Sequence, residues 1–386
     1  MIYNIGVTVN YNTGCESMSI QVVDKNNPLP RYVQAKLIIQ QRIRSGKYRP
    51  GERIPGERDL AAELRVSQMT MNKALLELVK EGWLYREHGK GTFVPEGFCP
   101  PPPEILQIGV VAHIPAERAL EDFYLGSLFR GMQRAIANAP VSLSIIEVPA
   151  DAIVEKLSDA PLDGLLVLDV LEQNVEKANQ LFRAGLKMVV LGASWKGLEA
   201  PFVDSDNIGG TQSALNHLLG LGHRRIGGVF ALPNTCNTQD RLRTFRKTLR
   251  EHGVQVDDTL ILIEEETVSL SDAGRDRLRQ RLRAPDRPTA FFCGGYYLAL
   301  DVMRIAREEG LQIPGDLSVV GFDDPVSAAL LSPPLTTVRQ PLDEMGRLAT
   351  LMLLQWLRNT EPPRQSVVLP TQLMVRSSTD TPGNVR

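Results

Sequence analysis

The stretch Pro50–Val94, PGERIPGERDLAAELRVSQMTMNKALLELVKEGWLYREHGKGTFV, decides how the amino-terminal quarter of the chain folds. Its spacing predicts a first helix near Glu57–Leu64, with Leu60, Ala61 and Leu64 on one face. Arg65-Val66 makes a turn, and Ser67 suits an N-cap, because its hydroxyl can accept a backbone N–H of the next helix. That second helix, from Ser67 to about Lys80, buries Ala74, Leu75 and Leu78. Its exposed opening turn carries Gln68, Met69, Thr70, Asn72 and Lys73. Short polar side chains at a helix start are what base edges in a major groove require. A hairpin over Tyr85–Val94 turns at His88-Gly89-Lys90-Gly91, where glycines relieve the steric cost of positive φ.

Working outward from this stretch, residues Leu29–Pro95 closely resemble the winged helix-turn-helix of the GntR family, most of all its HutC-type branch. The patterns PGxRxPxERxLA, VSxMTxNxAL and GxGTFV carry the resemblance. It implies that Arg58, Ser67, Gln68, Thr70 and Asn72 contact double-stranded DNA and that the wing tip His88-Gly89-Lys90 enters the minor groove. Met69 and Lys73 share the same exposed turn. The family usually has Arg where this chain has Gln68. Arg pairs bidentately with guanine and Gln with adenine, so the operator is expected to differ at the base read here. Selection from random-sequence duplexes checks this: an operator carrying the usual family base at that position would contradict it.

Charge supports the same assignment. Residues Pro28–Pro95 hold 13 Lys/Arg and 7 Asp/Glu, a net +6, whereas the remaining 30 basic and 38 acidic residues give −8. A small basic module on an acidic body is expected of a protein that meets phosphates at one end only. The 386 residues suffice for two or three domains, and 43% hydrophobic with 23% charged residues is ordinary globular composition. No apolar run is long enough to span a bilayer, and no secretory signal pattern opens the chain. Cys15, Cys99, Cys236 and Cys293 lie far apart, as reduced cytoplasmic cysteines would. The five histidines show no metal-ligand spacing, and no Walker, GxSxG or dinucleotide motif follows a strand. Neither metal, cofactor nor enzyme activity is therefore expected. Residues 1–27 read as a disordered leader, or as a segment preceding a true start at Met18.

Residues 96–105 form a Pro-rich linker with four consecutive prolines at Pro100–Pro103, a semi-rigid spacer. From 106 to 380, ahead of a short tail (381–386), apolar runs alternate with helical patterns. A first series pairs strands at Gln107–His113, Leu143–Val148, Gly164–Val170 and Lys187–Gly192 with helices at Leu125–Asn138, Ala152–Leu157, Asn174–Ala184 and Gly209–Leu221. A second has strands at Arg225–Phe230, Leu260–Glu264, Ala290–Cys293 and Leu317–Phe322. This rhythm predicts an α/β architecture of two consecutive parallel-sheet lobes with a cleft at the carboxyl ends of the strands.

GLGHRRIG at Gly220–Gly227, RLRTFRKTL at Arg241–Leu249, IPGDLSVVGFDD at Ile313–Asp324 and PPLTTVRQP at Pro333–Pro341 resemble the effector core of LacI-type repressors, which has the periplasmic-binding-protein-like type I fold. With a GntR-type head in place of the LacI head, the chain is similar to the arabinose-repressor-like group. The resemblance implies a homodimeric transcriptional regulator, expected to be a repressor, whose cleft takes a small polar effector, most often a sugar. It places effector contacts on Phe123, Tyr124, Arg241, Phe292 and Asp323, with Asn237 as a further candidate. Departures occur at Tyr296, where the family has an Asp, and at Gly192, where relatives often carry a carboxylate. Those losses leave open a constitutive DNA binder whose core only dimerises. Dimer contacts are expected from the first lobe and the helix Leu342–Leu357, and Asp206 is expected to cap the helix before Gly209.

Overall fold

The computed structural model describes residues 2–3, 23, 30–98, 105–112, 123–137, 139–147, 162–358, 362–363 and 365–383. Cys15, Cys99, His113, the predicted helix Ala152–Leu157 and most of the linker lie outside them. The described chain divides into two compact units, a head and an α/β core.

The head is built on α1 (Arg31–Arg44), α2 (Glu57–Glu63) and α3 (Gln68–Lys80), followed by the wing strands β2 (Tyr85–Glu87) and β3 (Gly91–Phe93). Strand β1 (Ile2–Tyr3) belongs to the core, where it pairs antiparallel with β5 (Val141–Glu147). At least these two residues of the expected leader are thus structured. Ile39, Leu60, Leu64, Met71, Leu75 and Leu78 are fully buried at the junction of the three helices. Val23 joins that cluster and donates its N–H to the Leu64 carbonyl at 3.3 Å, so the head draws on chain before residue 28. Arg42 of α1 is buried and paired bidentately with Glu63 of α2 at 2.7 and 3.0 Å, while also donating to the Tyr48 hydroxyl. The Arg42 hydrogen bonds hold the Glu63 carboxyl below its usual range. The PGxRxP segment has a structural purpose: Gly51 N–H donates to the Val94 carbonyl, Val94 N–H to the Glu52 carbonyl and Ile54 N–H to the Thr92 carbonyl, which lays residues 51–54 alongside β3.

The core has two sheets. The first is ordered β1-β5-β4-β6-β7-β8-β14, with β4 (Leu106–Ala112), β6 (Gly164–Leu168), β7 (Met188–Leu191), β8 (Phe202–Ser205) and β14 (Val367–Leu369). The second is ordered β10-β9-β11-β12-β13-β15, with β9 (Ile226–Ala231), β10 (Ile261–Glu264), β11 (Ala290–Cys293), β12 (Ser318–Phe322), β13 (Thr336–Arg339) and β15 (Gln372–Met374). The pairs from β4 through β6, β7 and β8 to β14 are parallel, as are those from β10 to β13; β15 joins antiparallel. Strands buried on both faces read as continuous apolar runs, which is why GLLVL and AFFC stand out in the sequence.

Helices α4 (Phe123–Ile136), α5 (Val175–Arg183) and α10 (Leu342–Arg358) belong to the first lobe. Helices α6 (Asn207–Gly220), α7 (Cys236–Glu251), α8 (Asp272–Arg283) and α9 (Tyr296–Glu308) belong to the second. The lobes are therefore not two consecutive halves. Helix α6, expected in the first lobe, packs on α7, β13 and β15 of the second. Helix α10 returns to cover β6, β7 and β8 and lies against α4. The chain crosses between lobes three times, after β8, after β13 and between β14 and β15. Met345, Ala349, Leu353 and Leu354 of the helix expected to supply dimer contacts are buried inside the first lobe, while Leu348 and Leu351 on the same helix are part-buried. Asp206 caps α6 as expected, its carboxylate accepting the Gly209 N–H at 2.7 Å. Among the described residues no helix is long and apolar enough to cross a membrane.

The α4–α10 crossing depends on two glycines. A Cβ on Gly131 would strike the Asp343 carbonyl, and one on Gly346 the Leu128 carbonyl, both backbone atoms with no rotamer to yield. Gly346→Ala should destabilise the core by roughly 1–3 kcal/mol or more through overpacking. Urea unfolding of the full chain measures it, and an unchanged midpoint would show that the helices separate freely.

Candidate DNA interface and interlobe site

In the head, Ser67 caps α3 by accepting the Thr70 N–H at 3.1 Å, and its hydroxyl also meets the Thr70 hydroxyl at 2.7 Å. Arg65 takes φ 55° in the turn, and Gly89 and Gly91 take positive φ at the wing tip, as the hairpin required. Arg58, Gln68, Met69, His88, Gly89 and Lys90 are exposed. Met69 stands 84% exposed, unusual for so large an apolar group unless something covers it in function. Two assigned residues are already engaged within the head. The Lys73 ammonium sits 3.8 Å from the Tyr32 ring centroid, and Asn72 accepts a hydrogen bond from Arg86 of the wing.

In the core, the interlobe site gathers at the carboxyl ends of the strands, where open parallel sheets bind ligands. Arg241, on α7, is almost wholly buried. Its Nε donates to Asn207 Oδ1 at 2.9 Å, its Nη1 to the Gly294 carbonyl at 2.6 Å, and its guanidinium lies 3.6 Å from the Phe322 ring centroid. Burial lowers its pKa, opposed by Asp323, Tyr124 and Asp204. Asn207 also donates to Asn237 Oδ1 at 3.1 Å, which brings Asn237 into the same network.

The first lobe contributes Tyr124 and a residue the sequence reading missed. Asp169, just past β6, lies 3.5 Å from the Tyr124 hydroxyl. Burial pushes the Tyr124 phenol well up, as do the charges of Asp169, Asp204 and Asp323, with Arg241 opposing. Asp169 and Asp323 follow strands β6 and β12, one in each lobe, and both hold left-handed backbone, φ 48° and 76°. Asp tolerates that conformation better than most residues, and strained backbone concentrates at functional sites. The available signal was an apolar strand run ending in Asp, the pattern already read at GFDD. Gly192 then has a reason: with φ 69° and no side chain, it leaves room where a Cβ would fall 2.5 Å from the Tyr124 hydroxyl and 2.6 Å from Asp169 Oδ1. The acceptor expected at the end of β7 is supplied instead from the end of β6.

Other expectations divide. Phe123 meets Tyr296 and Tyr297 across the lobes at 5.8 and 6.0 Å between ring centroids. Tyr296 donates to the Ser327 hydroxyl at 2.8 Å. Phe292 is corrected: it is fully buried in the second-lobe core, packed against Phe230 and Phe245, and faces no cleft. The lobes also touch directly. Glu172 N–H donates to the Asn234 carbonyl, Gln239 donates to the Glu172 carboxylate at 2.8 Å, and Ser194 N–H points to Cys236 Sγ at 3.2 Å. Cys236 and Cys293 are free, and burial pushes the Cys236 thiol up to about 12, so neither is a ready thiolate.

Residues 31–94 match the gntR family of bacterial regulatory proteins, and residues 215–379 match the periplasmic binding protein-like domain. The arabinose metabolism transcriptional repressor of Geobacillus stearothermophilus is 32% identical over 371 residues, covering 92% of this chain and 99% of that protein. The chain belongs to the family of these repressors. The HTH-type transcriptional repressor CytR of Escherichia coli K12 is 28% identical, over 83% of this chain and 95% of its own. A structure of the transcriptional regulator CelR–cellobiose complex superposes with TM-score 0.63 at 25% identity, covering 83% of this chain and 93% of that one. As a member of the repressor family, the chain is a DNA-binding transcriptional regulator with a LacI-type effector core.

Asp204, at the end of β8, offers a pH test. Burial pushes its carboxyl up to about 6, against the pull of the Ser194 side chain, the Ser205 N–H and Arg241. A raised folded-state value means that the stability supplied by the protonated acid is complete below about pH 4 and lost as pH rises through about 6. Relative to Asp204→Asn, the parent should therefore lose about 3 kcal/mol across that window. Urea titrations at successive pH values check it; a pH-independent difference would contradict the placement.

Proposed function

We propose that the chain represses transcription as a cytoplasmic homodimer whose operator binding is set by an uncharged polyhydroxylated ligand, a sugar or a sugar-like compound, held between its lobes. The observation that carries this reading is the convergence of Tyr124 and Asp169 from one lobe with Arg241, Asp323 and the Asn207–Asn237 pair from the other. Hydroxyl groups need acceptors and donors placed in this way, and a cleft is the usual location. Charge narrows the class. Asp204 and Asp323 lie near the Arg241 guanidinium and Asp169 beside Tyr124, while the guanidinium's flat face and two of its nitrogens are engaged by Phe322, Asn207 and Gly294. A phosphate would enter a site where three carboxylates outnumber one guanidinium, at a cost that like charges impose.

A ligand touching both lobes changes the free energy of their relative angle. The three crossings let that angle vary while each sheet stays intact. A differential affinity of a few kcal/mol between lobe arrangements is enough to shift the population of the dimer's DNA-competent state. Two heads on a two-fold operator convert that shift into occupancy.

Thermal shift of the full chain against pentoses, hexoses, disaccharides, nucleosides and the matching sugar phosphates tests the reading. A ligand at 100 times its dissociation constant should add about 2.7 kcal/mol. An uncharged compound should stabilise the chain while its phosphorylated form does not; stabilisation by the phosphate alone would overturn the assignment. Arg241→Ala is a poor control, because it also removes the bonds to Asn207 and Gly294. Asp169→Asn is cleaner. It should weaken ligand binding roughly tenfold or more, the loss of a charge-assisted hydrogen bond, while operator affinity is unchanged.

A further inference from the structure

We infer that Arg86, on the first wing strand, is a DNA-contacting residue of the head, held in place by Asn72 of the recognition helix. The inference rests on the DNA-binding reading and adds to it a residue that no sequence motif assigned. Arg86 Nη2 donates to Asn72 Oδ1 at 2.9 Å, and the same nitrogen stands 3.8 Å from a Glu57 carboxylate oxygen at the start of α2. Its side chain remains 40% exposed. Asn72 is one turn beyond Gln68, so the two share a helix face, and Arg86 is drawn onto the face that carries the residues proposed to read bases.

The geometry assigns different tasks to the two residues. Asn72 is half-buried with its oxygen committed to Arg86, so it acts as a positioning residue. Among the described residues Arg86 engages partners through Nη2 alone, and it projects from a strand flanking the helix rather than from the helix itself. A guanidinium in that position suits a phosphate bordering the major groove, where fork geometry and full charge count most. The alternative is a brace fixing the wing to α3, with no role toward DNA.

The test uses the full chain and a duplex selected by the parent from random-sequence DNA, with dissociation constants measured across a potassium chloride series. Arg86→Ala should weaken binding roughly tenfold and reduce the salt slope by about 1, the signature of one lost phosphate contact. Arg86→Lys should keep the slope. Asn72→Ala should weaken binding in the same direction, and the Asn72→Ala/Arg86→Ala double variant should be no weaker than Arg86→Ala alone. An unchanged slope in Arg86→Ala overturns the inference, and a lowered melting temperature beside it identifies the brace. Additive losses in the double variant would place Asn72 on the DNA in its own right and overturn the positioning role. A parent that retains no duplex would defeat the DNA-binding reading and this inference together, whereas a parent that binds tightly while Arg86→Ala matches it defeats only the inference.

Discussion

Arg241 carries a charge into the interior of the second lobe, and an unpaired buried guanidinium would cost several kcal/mol. Among the described residues no carboxylate makes a salt bridge to it. Its compensation comes from an amide oxygen on Asn207, a backbone carbonyl at Gly294, the face of Phe322, and the longer-range field of Asp323 and Asp204. Much else follows from satisfying that group. Asn207 must begin α6 at the point where the chain enters the second lobe, and Gly294 must follow β11 with its carbonyl turned towards Arg241. Among the described residues, none of the carboxylates near the guanidinium forms a bidentate pair with it. An ion pair would have been a closed structural unit; here Asp323 is tied instead to Gln340 at a crossing between the lobes.

The head solves a different problem with fewer residues. Three short helices bury little surface, so polar ties contribute where apolar area is limited. Arg42 links α1 to α2 through Glu63, Lys36 reaches Glu77 on α3 and Glu81 just past its end, and the Gly51–Ile54 segment completes the wing. These ties lie away from the opening turn of α3. That turn is left rich in exposed groups, Met69 above all, so rigidity and recognition occupy different sides of one small domain.

How legible all this was depended on range. Local signals read directly: Ser67 as a cap, glycines at the wing tip, Asp206 before α6, and apolar runs that became central strands. Lobe membership did not, because Gly209–Leu221 has the same amphipathic pattern whichever sheet it covers, and only the crossing after β8 assigns it. The same limit applies to helix Leu342–Arg358: its apolar face does not state that it meets β6, β7, β8 and α4. Phe292 followed a family alignment onto a strand whose successive residues point to opposite faces, and burial among Phe230 and Phe245 decided between them. Gly192 appeared as a missing acceptor because its role is negative space, which only the positions of Tyr124 and Asp169 reveal.

The same three crossings that made lobe membership hard to read give the site its leverage. Ser205 donates to Gln340, and Gln340 in turn donates to Asp323, so two crossing segments and one cleft carboxylate share a single chain of hydrogen bonds. Asp206 N–H bonds the Leu369 carbonyl at 2.8 Å and its own carbonyl accepts from Thr371 at 3.1 Å, joining the third segment to the first. Ser205 and Gln340 are buried, so these bonds cannot be exchanged freely for water, and a change at one is felt by its neighbours. A ligand hydroxyl that draws on Asp323 competes with Gln340 for the same oxygens. The free energy of occupying the cleft is thereby coupled to the conformation of the segments about which the lobes turn, and no separate relay between site and hinge is required.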